Sequence, residues 1–125
     1  MLPSKFRDDL AGTFIVTRGL EECMYIYTIE AWQALEEKMN AMPTSDENIR
    51  NFIRYYFGGA YDMELDKQGR IQVPPVLREH AILTKEVVSV GTIKRVEIWA
   101  KEKWEENNFN ILTKETKARL LELGF

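Results

Sequence analysis

The sequence has 125 residues, 45% of them apolar and 30% charged; such a chain suits one compact unit or two very small ones, and buries roughly two thirds of its unfolded surface. Its 17 Lys and Arg against 20 Asp and Glu give a formal charge of −3, which excludes a uniformly basic nucleic-acid coat and leaves local patches open. No apolar run approaches the ~20 residues of a membrane span, the opening residues do not read as a signal peptide, and the single Cys23 and single His80 exclude a disulfide framework and an ordinary zinc site.

In chain order, residues 14–17 and 24–27 predict short strands joined through Gly19, Leu20, Glu21 and Glu22. Ile29, Trp32, Leu35 and Met39 then recur at helical spacing behind Thr28, an expected N-cap, and Pro43 ends that helix. Thr44 and Glu47 have the spacing of a capping box for a second helix, whose stripe of Ile49, Phe52, Ile53, Tyr56 and Phe57 is closed by Gly58 and Gly59. The two helices are expected to form a helical hairpin. An alternating strand follows from Ala60, then a turn through Asp66, Lys67, Gln68, Gly69 and Arg70, then a further strand at Ile71, Gln72 and Val73. A proline-initiated helix is expected at 75–80, strands at 87–90 and 96–99, and a helix at 101–107. The last amphipathic segment, 113–123, carries Leu120, Leu121 and Leu123; docking on the body and an oligomer contact both remain open for it.

An internal echo runs through this order. Advancing Pro3, Phe6 and Arg7 by 71 positions meets Pro74, Leu77 and Arg78. With one inserted residue, Phe14 through Gly19 meets Glu86 through Gly91, Ile26 and Tyr27 meet Ile98 and Trp99, and Trp32 meets Trp104. The chain therefore reads as two copies of one small unit, neither able to close a core alone. The strand and turn before Pro74 have no counterpart before Pro3, so the first copy is expected to lack about a dozen residues that the second possesses. A start codon assigned too far downstream and a true shortening both produce that pattern.

Charge is uneven. From Glu21 to Glu47, Glu21, Glu22, Glu30, Glu36, Glu37, Asp46 and Glu47 stand against Lys38 alone, which places the acidic part on the helical hairpin, whereas from Asp66 to Arg78 the bases Lys67, Arg70 and Arg78 stand against Asp66 alone; Lys5, Arg7 and Arg18 lie in the first copy. Asp66 can accept its own turn's N–H groups and Gly69 can take a positive φ, so Lys67, Gln68 and Arg70 would project from a stiff loop. Arg70 suits a guanine edge or a phosphate and Lys67 supplies a point charge. An Asp66–Arg70 ion pair that simply locks the hairpin fits the same residues.

The run from Asp66 through Gly69, Arg70, Pro74 and Arg78 to Glu79 resembles the MraZ family of bacterial transcriptional regulators, whose units belong to the AbrB-like swapped-hairpin group. Val16 through Leu20, the aromatic helix from Phe52 to Gly59, and Val96 through Trp99 followed by Trp104 support the resemblance, which spans residues 1–107 and not the tail. It implies an α+β fold: tandem AbrB-like units forming a small pseudo-two-fold β-barrel, with a helical hairpin between the repeats and C-terminal helices. Residues 1–31 would be the first repeat, N-terminally incomplete, 32–59 the hairpin, 60–103 the second repeat and 104–125 the helical tail. It also implies a cytoplasmic, nucleoid-associated protein that assembles into ring-like homo-oligomers. Such proteins bind short repeats of double-stranded DNA in the promoter of a division and cell-wall gene cluster including their own gene, usually repressing it. The family's Asp-x-x-x-Arg signature falls on Asp66 and Arg70, with Gly69 shaping the turn. Arg70, Lys67 and Gln68 are the expected DNA contacts, and Arg78, Lys5 and Arg7 their neighbours.

Other residues read as structural. His80 lacks a nucleophile beside it and is expected at a helix end; Cys23 and the three tryptophans fall among apolar neighbours. Glu21 and Glu22, like Glu36 and Glu37, are adjacent and so do not aim two carboxylates at one substrate. No phosphate-cradling glycine loop, cofactor site or catalytic set is visible. A second reading, a protein-interaction or antitoxin-like module on the same fold, would use the acidic hairpin and the leucine-rich tail.

Overall fold

The computed structural model describes residue 6, residues 10–109 and residues 111–125. Five strands make one antiparallel sheet in the order β3-β1-β2-β5-β4, where β1 is Thr13–Arg18, β2 Met24–Thr28, β3 Tyr61–Glu64, β4 Val87–Gly91 and β5 Val96–Ala100. Helices α1 (Ile29–Asn40) and α2 (Glu47–Tyr56) lie between β2 and β3, α3 (Pro75–Ala81) precedes β4, and α4 (Lys101–Asn108) and α5 (Lys114–Glu122) follow β5. No helix among the described residues is long and apolar enough to cross a membrane.

The sheet is buried on both faces because its strands alternate between two apolar sets. Phe14, Val16, Met24, Ile26, Val96 and Ile98 point to one side, where they meet Leu10 and Leu77. Ile15, Tyr25, Tyr27 and Trp99 point to the other, beneath Trp32 of α1 and Tyr56 of α2. A fully buried side chain of this size contributes roughly 1.5–3 kcal/mol, so this two-faced sheet is the main source of stability. Thr17, also fully buried, donates its hydroxyl to the Tyr56 carbonyl at 2.6 Å and so ties β1 to the end of α2.

The two copies meet at the centre of the sheet. Between β2 and β5 the register pairs Met24 with Ile98, Tyr25 with Glu97 and Ile26 with Val96. Exchanging the copies maps the first pair onto the third and leaves the middle one in place, so a pseudo-two-fold axis passes between Tyr25 and Glu97. The strand pairs β1–β2 and β4–β5 are equivalent, and α1 and α4 leave them at the same point, directly after Thr28 and Ala100. The echo is one residue out in β4, however. Val16 faces Ile26 while Ser89 faces Ile98, so Val16 and Ser89 hold the same place. The cause is the connection, residues 19–23 in the first copy and the shorter 92–95 in the second. Gly19 is required in the longer one, because a Cβ there would stand 2.8 Å from the Cys23 carbonyl oxygen.

Helix starts follow local chemistry. The Thr28 side chain accepts from Ala31 N–H and caps α1 as expected. The cap of α2 is Asp46, accepting from Asn48 N–H at 2.8 Å, and not Thr44, whose carbonyl instead receives Arg50; the carboxylate adjoining the first turn displaces the hydroxyl two residues earlier. The strand expected at Ile71, Gln72 and Val73 does not form. The outer edge of β1 is already paired with β3, and Pro74 has no N–H to extend a ladder. Ile71 and Val73 pack onto the core beside Leu77 instead.

Candidate nucleic-acid interface

After β3, Leu65 turns inward onto the core and Asp66 opens a turn fastened at both ends. The Asp66 N–H donates to the Arg70 carbonyl at 2.9 Å and the Gly69 N–H donates to the Asp66 carbonyl at 3.0 Å. One carboxylate oxygen of Asp66 accepts from the backbone N–H groups of Gln68 and Arg70, each at 2.9 Å. Gly69 adopts φ +75°, a region that costs an L side chain roughly 1–2 kcal/mol. The bond from Arg70 N–H holds the Asp66 carboxyl below its ordinary value of 3.8, aided by Gln68 N–H and the Arg70 charge.

With its backbone set in this way, the turn presents Lys67, Gln68 and Arg70 to solvent. None of these side chains makes a hydrogen bond or ion pair with another described residue, and Asp66, engaged by backbone amides, forms no ion pair with Arg70. Two cations and an amide on a stiff loop have the chemistry to meet phosphate oxygens and base edges. Arg78 is exposed on α3 and lies on the wall of a groove that also takes in Lys85. Lys85 was not anticipated; only the return of the chain from α3 to β4 brings it beside Arg78. Lys5 and Arg7 lie outside the described residues.

The first copy's remaining cation is engaged internally. Arg18 stacks its guanidinium 4.3 Å from the centre of the Tyr55 ring and donates to the Tyr55 carbonyl at 2.9 Å. Near it, the Tyr55 hydroxyl donates to the Gly19 carbonyl, and His80 in the last turn of α3 sets Nε2 3.2 Å from the same oxygen and 3.1 Å from the Glu21 carbonyl. His80 thus fastens α3 to the first connection. Cys23 is fully buried, and burial together with the nearby Glu97 charge pushes its thiol up to about 12. Glu21, Glu22, Glu36 and Glu37 are all exposed. No cluster of metal-ligating residues occurs among the described residues.

Comparison with known proteins adds three relatives and a family. A family model described as "MraZ protein, putative antitoxin-like" matches residues 1–55 and again residues 56–120. A Clostridium tetani protein named "Transcriptional regulator MraZ" is 44% identical over 125 residues, covering 99% of this chain and 88% of that one. A Clostridium acetobutylicum protein of the same name is 48% identical over 108 residues, 86% of this chain and 76% of that one. One from Alkaliphilus metalliredigens is 42% identical over 125 residues, 98% of this chain and 87% of that one.

Proposed function

The chain belongs to the MraZ family, a non-enzymatic family whose compared members are named transcriptional regulators, and we propose that it regulates transcription by binding double-stranded DNA through the turn Asp66 to Arg70. The observation that carries this reading is the pairing of a backbone clamp at Asp66 with three polar side chains beside it that have no partner among the described residues. A DNA contact needs such side chains held in place by a stiff turn and, among the described residues, Lys67, Gln68 and Arg70 meet that condition. Arg70 contacts a base edge or phosphate, Lys67 a phosphate, and Gln68 a base; Arg78, Lys5 and Arg7 extend the basic surface.

In this reading residues 1–31 and 60–103 are the two repeats, joined by the helices of 32–59 and followed by the tail 104–125. A single turn gives a weak contact, and a ring-like homo-oligomer multiplies it over short promoter repeats. The protein then represses a division and cell-wall gene cluster that includes its own gene, working in the cytoplasm on the nucleoid.

The test is a binding titration on double-stranded DNA from upstream of the chain's own gene, against a shuffled duplex, over a series of salt concentrations. Tighter binding to the native duplex with affinity falling steeply as salt rises is the expected result. Equal binding to both duplexes, or a flat salt response, overturns the reading.

A further inference from the structure

α4 and α5 follow β5 as α1 and α2 follow β2, but the two helix pairs finish differently. Tyr56 at the end of α2 is 2% exposed, while Leu121, at the matching place three residues before a glycine, is 73% exposed. Every residue from 114 to 125 is exposed, and so are Phe109, Ile111 and Leu112 ahead of them. On the rest of the described chain six large apolar side chains are exposed, and three of these, Leu20, Val76 and Ile82, lie on or beside α3. His80 brings two of them together. Val76 stands one turn before it on α3, and its Nε2 reaches the Gly19 and Glu21 carbonyls on either side of Leu20. Glu21 and Glu79 rim this patch, exposed and without an ion pair among the described residues.

We propose that α5 is an arm that docks on the α3 patch of a second copy of this chain. The arm carries the patch's complement. Lys114, Lys117 and Leu121 recur at i, i+3 and i+7 on one face, with Leu120 next to Leu121. Neither lysine has an ion pair among the described residues. Leu120 and Leu121 cover Leu20 and Val76, and the lysines meet Glu21 and Glu79. A second copy fits better than the chain's own patch: Lys103 ties α4 to Glu22 at 3.5 Å, so the arm starts beside that patch, yet all of α5 remains exposed. Apolar surface of this extent is what contacts between chains cover. Arm and patch are different surfaces, so the contact runs head to tail and closes into a ring where the rotation per copy allows. This docking rests on the homo-oligomer of the reading above and is independent of its DNA contact.

Sedimentation velocity of the full chain over a concentration series reads the assembly, and circular dichroism reads the fold. The full chain is expected to associate. Leu121→Lys and Val76→Lys, both at exposed positions, should each raise the midpoint concentration roughly tenfold or more with unchanged spectra. Lys117→Glu and Glu79→Lys should each raise it roughly three- to tenfold, and the chain carrying both changes should return toward the original midpoint. Association untouched by Leu121→Lys or by Val76→Lys, or a double variant no better than either single one, overturns the docking and leaves the homo-oligomer standing. A full chain that stays single at every concentration overturns both.

Discussion

Tyr25 of β2 lies directly opposite Glu97 of β5, at the one point about which the two copies exchange. Arg95 closes over that pair: its guanidinium sits 3.9 Å from the centre of the Tyr25 ring and 3.9 Å from the Glu97 carboxylate, and it donates to the Tyr27 hydroxyl at 3.1 Å. Glu97 in turn receives the Trp99 indole N–H at 2.9 Å. The seam between the copies is thus held by a polar bridge laid over an apolar sheet.

Arg95→Ala removes the stacked cation and its hydrogen bond to Tyr27 together. A hydrogen bond to a charged group is worth about 1.5–3 kcal/mol, and this guanidinium is about one third exposed, so a loss near the lower end of that range is expected. Urea denaturation of the two proteins checks it; unchanged stability would mean that the bridge does not hold the seam.

Arg70→Ala should weaken promoter binding by roughly 1–3 kcal/mol and leave the fold intact, since the guanidinium has no partner within the described chain. A gel-shift titration at moderate salt with matched circular dichroism spectra separates the two effects. Full-strength binding by the variant removes Arg70 from the interface.

Asp66 ties the turn to pH. Its carboxyl is held below the ordinary value of 3.8, chiefly by the Arg70 N–H. A depressed acid stabilises the folded turn fully above 3.8, and that contribution is lost as pH falls through the lower, folded value. A carboxyl NMR titration should place the Asp66 midpoint below 3.8, with the Gln68 and Arg70 amide signals shifting over the same range. A midpoint at or above 3.8 contradicts the clamp.

Gly69→Val puts a β-branched side chain at φ +75°, a strain of about 1–3 kcal/mol. The turn can relieve it by releasing the Asp66 bonds. Loss of DNA affinity is therefore expected alongside faster exchange at the Gln68 and Arg70 amides, whereas Lys67→Ala should lower affinity without changing that exchange.

Much of this architecture is readable from residue order alone, because the signals are local. Thr28 before an amphipathic run, Pro75 opening a helix, and the alternation of Phe14, Ile15 and Val16 each act within a few residues. The features that escape depend on distant partners. Ile71 and Val73 have strand chemistry, but β3 already holds the outer side of β1 and Pro74 has no N–H to extend a ladder. The one-residue offset of β4 is set by its pairing with β5. Arg18 and Arg70 look alike in sequence, yet one is claimed by Tyr55 and the other by nothing in the described chain. Which cations are available is therefore a property of the packed molecule, as is the meeting of Arg78 and Lys85 in one groove.

Because the only thiol of the chain lies sealed beside the seam, ionising with difficulty and out of reach of solvent, a maleimide or disulfide reagent has nothing to attack while the halves stay together. The rate at which such a reagent consumes the protein is a clock for how often the sheet comes apart, with no introduced label.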